Sequence, residues 1–370
     1  MAGRQDRNLR KNEADFILLF TAMTLLAIGI VMVFSASYYM LRERNDPYYH
    51  LRRQVMWAAL GLSGMLFFSN YDYWKLKRWT NLAVLASIVL LLAIFIPGVG
   101  VEIYGARRWI GIGGFTAQPS DLAKVALVMF AAAYLSRRDV EVQKFTSGPL
   151  PVMALMGVIF ALILKQPDLG TAIAVAGTVM IILFAAGMRI HHIVMVALAA
   201  VPLLVYMVRS EPYRLERWLS FLDPWADPLD TGYQIIQSLY AIGPGGLFGV
   251  GLGHGRQKMY YLPEPHSDFI FSVICEELGF IGASAILLLY FLLFWRGFKV
   301  ALSAPDAYGS LLAAGIVAMI GLQTLMNIGV VTGSIPVTGI NLPLISAGGS
   351  SLFFTLCSIG ILLNISKYTK

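Results

Sequence analysis

One acidic residue stands where a polar segment gives way to an apolar one. Asp268 lies in the run PEPHSDFIF, with Glu264 and His266 close before it. A carboxylate at such a boundary can accept a proton from a hydroxyl group, which is general-base chemistry. The structural alternative is that Ser267 or Asp268 caps a helix, since a carboxylate suits the positive helix end. Asp268 is therefore the candidate catalytic residue, and His266 a candidate binding residue beside it.

A basic and aromatic triplet forms a second candidate. Arg107, Arg108 and Trp109 follow one another in a glycine-rich segment, 98–118. Arginine binds phosphate through two N–H groups, and tryptophan offers a face to a sugar ring or an apolar chain. The same triplet would also serve as an anchor at a membrane interface. From the residues alone, both interpretations stay open.

Two further polar residues interrupt apolar stretches. Lys124 follows QPSD, which is typical of helix initiation, and its buried ammonium needs an anion. Asp121, three residues earlier, is one such partner, and a lipid diphosphate would be another. Asp168 lies in KQPDLG, between two apolar blocks, where a tight turn is the simpler explanation. Both residues are candidates for substrate binding.

Adjacent acids occur deeper in the apolar segment that follows Asp268. Glu276 and Glu277 would lie about 12 Å further along a helix. Two acids facing lipid would be costly, so both should point into a helical bundle and bind amides, water or cations. They form either a structural polar cluster or a proton or ion relay.

The elements that position these residues follow from composition. Of 370 residues, 58% are apolar and 13% charged, with a mean hydropathy of +0.70. Soluble domains carry roughly a quarter charged residues, so the chain is predicted to be an all-α, polytopic membrane protein. Ten apolar blocks predict about ten transmembrane helices. They are 16–40, 54–69, 80–97, 119–136, 149–165, 169–187, 192–208, 268–295, 310–332 and 351–366.

The chain is predicted to form a single membrane domain, 1–370, with a cytoplasmic tail at 1–15. A large extracytoplasmic loop, 209–267, separates the seventh and eighth helices; it includes a helix-like pattern at 215–222 and seven glycines in 243–255. Those glycines indicate either backbone that bends beside a ligand or a re-entrant turn. An even helix count puts both termini on one side. The cytoplasmic side is favoured because, outside the long loop, it would hold 15 basic residues against 8.

The net charge of +7 fits cytoplasmic anchoring of a membrane protein. No basic stripe alternates with solvent-facing aromatic residues, so we expect no nucleic-acid partner. The two cysteines, Cys275 and Cys357, both lie inside apolar segments and are expected to be small buried side chains.

Seven blocks carry a family resemblance that covers nearly the whole chain. They are GARRWIGIGG (105–114), QPSDLAK (118–124), KQPDLGTA (165–172), FLDPWADP (221–228), the long run 232–271, EELGFIG (276–282) and PVTGINLPLISAGGSS (336–351). The chain resembles the SEDS family of peptidoglycan glycosyltransferases, most closely its division and sporulation branch (FtsW and SpoVE). The rod-elongation relative RodA is less similar in 221–228 and 336–351.

The resemblance implies a ten-helix enzyme that polymerises lipid II at the outer face of the cytoplasmic membrane. The family's essential acid falls on Asp268, which would act as general base with inversion at the anomeric carbon. Its other sensitive positions fall on Arg107, Trp109, Lys124, Asp168 and Glu276. The alternatives are a lipid II flippase and a non-catalytic activator of a partner synthase.

The resemblance also implies partners and a possible metal. The expected partners are the nascent glycan strand, a class B penicillin-binding protein that acts as transpeptidase, and other division or sporulation proteins. The negative charge of the leaving diphosphate would be countered by Arg107, Lys124 or a divalent cation, Mg²⁺ or Mn²⁺. The ligands of such a metal are not identified by the sequence, and no organic cofactor is expected.

Overall fold

The computed structural model describes residues 12–43, 46–103, 105–112 and 115–369. The predicted N-terminal tail therefore lies mostly outside the described residues. Twelve α-helices occur in the described part: α1 (Phe16–Arg42), α2 (Tyr49–Asn70), α3 (Tyr73–Ala93), α4 (Pro119–Leu135), α5 (Pro149–Leu164), α6 (Leu169–Ala185), α7 (Ile190–Arg209), α8 (Pro212–Leu222), α9 (Tyr233–Ile242), α10 (Ile270–Leu302), α11 (Ala307–Val331) and α12 (Ser350–Ser366).

Ten of these helices coincide with the ten apolar blocks. Five of them, α1, α3, α7, α10 and α11, are long and apolar enough to cross a membrane, and α5, α6 and α12 are shorter apolar helices. The remaining two are α2 and α4, which lie at the second and fourth blocks. The prediction of a polytopic, mainly helical membrane protein is confirmed. The helix predicted from the pattern at 215–222 is also confirmed, as α8.

The bundle is built around α11, which packs against α4, α6 and α10, while α12 packs against α2. The helix α7 is the exception, because nearly all of its side chains are exposed and it contacts mainly α6 and α8. Residues near both ends of the chain meet: the amide of Asn12 donates to the carbonyl of Lys367 at 2.8 Å. Asp15 also pairs with Arg296, near the end of α10. Asp268, just before α10, therefore lies at the opposite end of the bundle.

A small antiparallel sheet was not predicted. It consists of β1 (Gly100–Ile103), β2 (Ala106–Ile112) and β3 (Phe115–Ala117), in that order. Val101 pairs with Trp109 and Glu102 with Arg107, so Arg108 is the extra residue of a β-bulge. A bulge leaves one residue unpaired and re-aims its side chain. Strands this short in a glycine-rich segment are difficult to predict, because too few residues are available to show the alternation of apolar and polar side chains.

The helix α10 is interrupted near one third of its length. Gly279 has φ 65° and ψ −167°, which no helical residue adopts. The backbone groups freed by the break are bonded by the glycine-rich run, since Val250 N donates to Glu276 O and Phe280 N donates to Gly246 O. A Cβ on Gly249 would lie 2.1 Å from the carbonyl oxygen of Glu277, so only glycine fits there. The glycines thus allow close approach to another backbone, as expected for the re-entrant alternative.

Candidate functional site

A cavity of about 670 Å³ opens at the end of the bundle where Asp268 lies. Its wall is formed by β2, α2, α4, α6, α8, the segment before α10 and the segment between α11 and α12. Its charged lining residues are Arg53, Arg108, Asp121, Lys124, Asp168, Arg217, Glu264 and Asp268. The cavity therefore contains four cations and four carboxylates, which is unusual for a chain so poor in charge.

Asp268 is held in place from two sides. Its Oδ1 accepts a hydrogen bond from Ser267 Oγ at 3.0 Å. Its backbone carbonyl accepts from Asn327 Nδ2 at 2.7 Å, and the same amide donates to the carbonyl of Ile340 at 2.7 Å. The first residue before α10 is Phe269, and no side chain caps the helix, so the alternative that Ser267 or Asp268 is the N-cap is wrong. The Asp268 carboxylate is oriented toward the cavity instead.

The surroundings of Asp268 change its acidity. Burial raises the pKa of its carboxyl from 3.8 to about 6, and the nearby Glu264 carboxylate acts in the same direction. The hydrogen bond from Ser267 and the positive charges of Arg108 and Arg217 oppose this increase. A carboxylate whose pKa is close to neutrality can accept a proton and release it again at the working pH.

The segment that carries Asp268 is fastened to the segment before α12. Ser346 Oγ donates to the carbonyl of Ser267 at 2.7 Å, and Ala347 N donates to the carbonyl of His266 at 3.0 Å. His266 does not line the cavity; its ring lies 4.0 Å from that of His50, which does. Burial lowers the pKa of His266 to about 4, so its imidazole is neutral near pH 7. In the described structure it is a packing neighbour of the cavity wall.

The two adjacent arginines point to different places. Arg107 is exposed and pairs with Glu102 at 2.9 Å, outside the cavity. Arg108 lines the cavity, and its guanidinium donates to the carbonyls of Gln166 and Pro167. Alternation along the strand explains the difference, because successive side chains point to opposite faces, and the bulge allows the adjacent Arg108 and Trp109 both to line the cavity. The structure thus brings Arg108, and not the predicted Arg107, next to Trp109 in the cavity wall.

Lys124 lies at the floor of the cavity and is neutralised there. Its Nζ is 2.9 Å from Asp121 Oδ1 and donates to Gln323 Oε1 at 3.1 Å. Ser350 Oγ donates to the other oxygen of Asp121 at 2.7 Å. The predicted pairing of Lys124 with Asp121 is confirmed.

Asp168 lines the cavity, but its carboxylate is already hydrogen-bonded. Its Oδ1 accepts from Thr171 N at 3.1 Å, which caps α6, and its Oδ2 accepts from Gln118 Nε2 at 3.1 Å. The predicted tight turn between α5 and α6 is confirmed. Asp168 therefore fixes the cavity wall and leaves little of its carboxylate free for a ligand.

Glu276 and Glu277 do not line the cavity. Glu276 accepts from the amides of Arg256 and Gln257, and Glu277 accepts from Lys258 Nζ at 2.5 Å. This arrangement is the structural polar cluster that the sequence allowed. It holds the glycine-rich run against the broken helix.

Several cavity residues were missed from the sequence. They are His50 and Arg53 on α2 and Arg217 on α8. His50 and Arg53 lie near the start of α2 and Arg217 lies in the amphipathic helix α8, and a charged or polar residue is ordinary in both places. Asn327, which supports Asp268 from α11, does carry a local signal, because it is a polar amide in an otherwise apolar segment.

The chain was compared with known proteins. A family model described as cell cycle protein, covering FtsW, RodA and SpoVE, matches residues 16–370. Stage V sporulation protein E of Bacillus subtilis is 47% identical over 362 residues, which are 98% of this chain and 99% of the relative. The probable peptidoglycan glycosyltransferase FtsW of Geobacter sp. (strain M18) is 46% identical over 353 residues, 95% of this chain and 96% of the relative.

Solved structures agree with these matches. A chain from a study of polymerization and crosslinking by a peptidoglycan synthase complex aligns with a TM-score of 0.78 and 35% identity, over 95% of this chain and 97% of that one. RodA of Thermus thermophilus aligns with a TM-score of 0.71 and 32% identity, over 95% and 96%. Sequence blocks, helical architecture and alignments over the full length all lead to one conclusion: the chain belongs to the FtsW/RodA/SpoVE family.

Proposed function

We propose that this chain is a peptidoglycan glycosyltransferase that polymerises lipid II at the outer face of the cytoplasmic membrane, in cell division or sporulation. Relatives at 45–46% identity are named probable peptidoglycan glycosyltransferases, which supports the reaction class. The observation that carries the mechanism is Asp268, a carboxylate with a pKa of about 6 in a polar cavity at one end of a membrane bundle.

In this mechanism Asp268 removes the proton from the 4-hydroxyl of the acceptor sugar as that oxygen attacks the anomeric carbon of the donor. The new carbon–oxygen bond forms on the face opposite the diphosphate, whose bond to the carbon breaks, and the diphosphate leaves with the electron pair. One displacement inverts the anomeric centre, and no second carboxylate is needed as nucleophile. General-base assistance of this kind contributes about 10²–10⁴-fold to the rate.

The leaving diphosphate needs a positive counter-charge. Arg107 lies outside the cavity, and Lys124 is engaged by Asp121, so Arg108 is the better placed of the sequence candidates. Its guanidinium is fixed by two backbone carbonyls, which orients the remaining N–H groups before the substrate arrives. Fixed donors of this kind stabilise charge without reorganisation in the transition state.

The neighbouring arginines provide a matched pair of variants. Arg108→Gln is expected to lower kcat/KM for polymerisation by on the order of 10²-fold, as loss of one fixed donor does. Arg107→Gln should stay within about twofold of the parent, because Arg107 lies outside the cavity and its exposed ion pair with Glu102 contributes little. Steady-state rates with labelled lipid II measure both. A larger loss in Arg107→Gln than in Arg108→Gln would contradict the assignment.

A divalent cation was considered for the same task. Among the residues described, no three histidine, cysteine, aspartate or glutamate side chains are arranged to hold a metal ion. The protein thus offers no complete set of ligands of its own in this part of the chain, and the reaction above uses no step through a metal. A Mg²⁺ or Mn²⁺ ion held by one or two carboxylates together with substrate phosphates remains a separate proposal, which chelation tests.

We further propose that both termini are cytoplasmic and that the cavity faces outward. Support comes from the basic residues outside the long loop and from the position of Asp268, at the opposite end of the bundle from Asn12 and Lys367. A class B penicillin-binding protein is the proposed partner, since a structural neighbour comes from a peptidoglycan synthase complex.

The decisive experiment is polymerisation of labelled lipid II by the purified chain, alone and with the partner transpeptidase, across a chelator titration. Glycan strands from the chain alone support the enzyme. Movement of lipid II across vesicles without strand formation would favour the flippase. No strands from the chain alone, with strands appearing only when a separate polymerising synthase is added, would favour the non-catalytic activator.

The pH dependence of the rate follows from Asp268. Only the deprotonated carboxylate accepts a proton, and burial raises its pKa to about 6, so kcat/KM should be level above pH 7. Below pH 6 it should fall by about tenfold per pH unit. Ser267→Ala removes a hydrogen bond that lowers this pKa and should shift the fall to higher pH. A profile level down to pH 4.5 would exclude Asp268 as the base.

A further inference from the structure

Arg217 is a cavity residue that the mechanism has not used. It lies on α8, in the large loop, and reaches the cavity from the side opposite the bundle core. In the described structure its guanidinium has one hydrogen bond, a long one of 3.5 Å from Nη1 to the carbonyl of Val337. No carboxylate lies within ion-pair distance of it in that part of the chain. A cation so weakly bound by protein groups has N–H donors left for a ligand.

A second guanidinium lies near it. Arg108 and Arg217 line the same cavity, and Arg108 lowers the pKa of Arg217 by charge repulsion, after burial as the larger cause. Arg108 is likewise bound by carbonyls and has no carboxylate partner among the described residues. Two like charges converging on one space favour an anion between them.

The nearby carboxylates offset this positive charge only in part: Asp168 and Asp268 attract Arg217 electrostatically, but neither lies within ion-pair distance of it among the described residues. Asp168 is the acceptor for the α6 amide of Thr171 and for Gln118, so both of its oxygens are engaged. Asp268 must keep its carboxylate accessible to the acceptor hydroxyl if it is to act as the base. The pair of arginines is therefore left with charge that a bound ligand can neutralise.

The chemistry of the ligand follows from the geometry and from the proposed reaction. Arginine binds phosphate oxygens through two parallel N–H groups, and two arginines on separate elements match the two phosphates of a diphosphate. Both act on Asp268 electrostatically, so a group bound between them lies beside the proton acceptor. In the donor substrate, the diphosphate is attached directly to the reacting carbon.

We propose that Arg217 and Arg108 together bind the diphosphate of the lipid-linked donor, with α8 carrying one half of the clamp. The inference rests on the proposed function, since it names the site for that reaction's leaving group. Arg217 is then a catalytic residue, because it contacts the group whose negative charge increases as the glycosidic bond breaks. Arg217 lies on α8, which packs mainly on α7, a helix whose side chains are nearly all exposed. Half of the clamp therefore belongs to the large loop.

Direct binding tests the clamp without relying on turnover. Purified full-length protein is titrated with undecaprenyl diphosphate and, separately, undecaprenyl phosphate, both in chelator so that protein cations alone are measured. The parent should prefer the diphosphate. Arg217→Gln should weaken diphosphate binding at least tenfold while changing monophosphate binding less. Arg217→Lys should bind the diphosphate more weakly than the parent and more tightly than Arg217→Gln, because lysine keeps the charge and loses the paired N–H groups.

Turnover supplies the second readout. Arg217→Gln should lower kcat for lipid II by on the order of 10²-fold. Arg209→Gln is the matched control, since Arg209 is an exposed cation at the end of α7 and does not line the cavity; it should bind and turn over as the parent does. Thermal melts of each variant establish that it is folded.

The possible outcomes separate the two proposals. A parent protein that makes no glycan from lipid II contradicts the proposed function. A parent that polymerises, with folded Arg217→Gln binding the diphosphate as tightly as the parent does, overturns the clamp and leaves the function standing. Equal weakening of undecaprenyl diphosphate and undecaprenyl phosphate binding also overturns it, because Arg217 would then recognise a feature that the two lipids share.

Discussion

Replacement of Asp268 by asparagine is expected to lower the rate of lipid II polymerisation by about 10²–10⁴-fold. Asparagine has nearly the same shape and can still accept the hydrogen bond that Ser267 donates at 3.0 Å. It cannot accept a proton from the sugar hydroxyl at neutral pH. Formation of glycan strands from labelled lipid II, followed by gel or chromatography, measures the loss.

The fold of this variant should be intact. Burial raises the pKa of Asp268, so the folded protein disfavours the charged carboxylate at neutral pH, and a neutral amide removes that cost. The melting temperature should therefore equal or exceed that of the parent. Glu216→Gln, an exposed acid in the same loop, is the control and should retain the parent rate. A folded Asp268→Asn protein that polymerises at the parent rate would disprove the base.

The largest effect on stability is expected from Lys258→Met. Lys258 is 2% exposed, and its Nζ lies 2.5 Å from Glu277 Oε1 and donates to Ser35 Oγ at 2.9 Å. Removing the ammonium leaves a buried carboxylate that, among the described residues, keeps hydrogen bonds from Ser35 and the amide of Gly253 alone. Breaking a buried pair in this way costs about 3–5 kcal/mol of unfolding free energy. Unfolding in detergent, by heat or denaturant, measures it.

A double variant distinguishes charge from packing. Lys258→Met combined with Glu277→Gln removes both charges and should be more stable than Lys258→Met alone, since the uncompensated anion is gone. Lys299→Met, an exposed lysine on the same helix α10, should change stability by at most about 0.5 kcal/mol. If Lys258→Met costs no more than Lys299→Met, the buried pair does not stabilise the fold.

The helical bundle was predictable because the membrane imposes one pattern on every spanning segment. Each spanning segment must satisfy its backbone hydrogen bonds internally, so each of the ten apolar blocks forms a helix. Local rules also predicted the pair of Lys124 with Asp121, which are one helical turn apart. The buried position of Glu276 and Glu277 followed from the cost of exposing acids to lipid.

The cavity was less accessible to such rules because its parts are far apart in the chain. Arg217 and Arg108 are separated by more than a hundred residues, and neither lies in a sequence pattern that indicates a shared site. The side chain of Asn327 donates a hydrogen bond to the backbone carbonyl oxygen of Asp268, and side-chain chemistry alone does not reveal such a contact. The sequence could not decide between a capping and a catalytic role at the start of α10, because Ser267 and Asp268 are both good capping residues, although neither caps the helix.

The bulge in β2 has a consequence for how this stretch is compared among relatives. Two identical side chains stand next to each other, and an alignment that shifts by one position exchanges Arg107 and Arg108 with no penalty in residue identity. The pairing distinguishes them, since Arg107 pairs with Glu102 outside the cavity, whereas Arg108, the unpaired residue, lines the cavity with Trp109. Equivalent arginines in other members should be identified from the pairing register of β1 and β2. An alignment gap in this hairpin should be placed so that the pairing register is preserved.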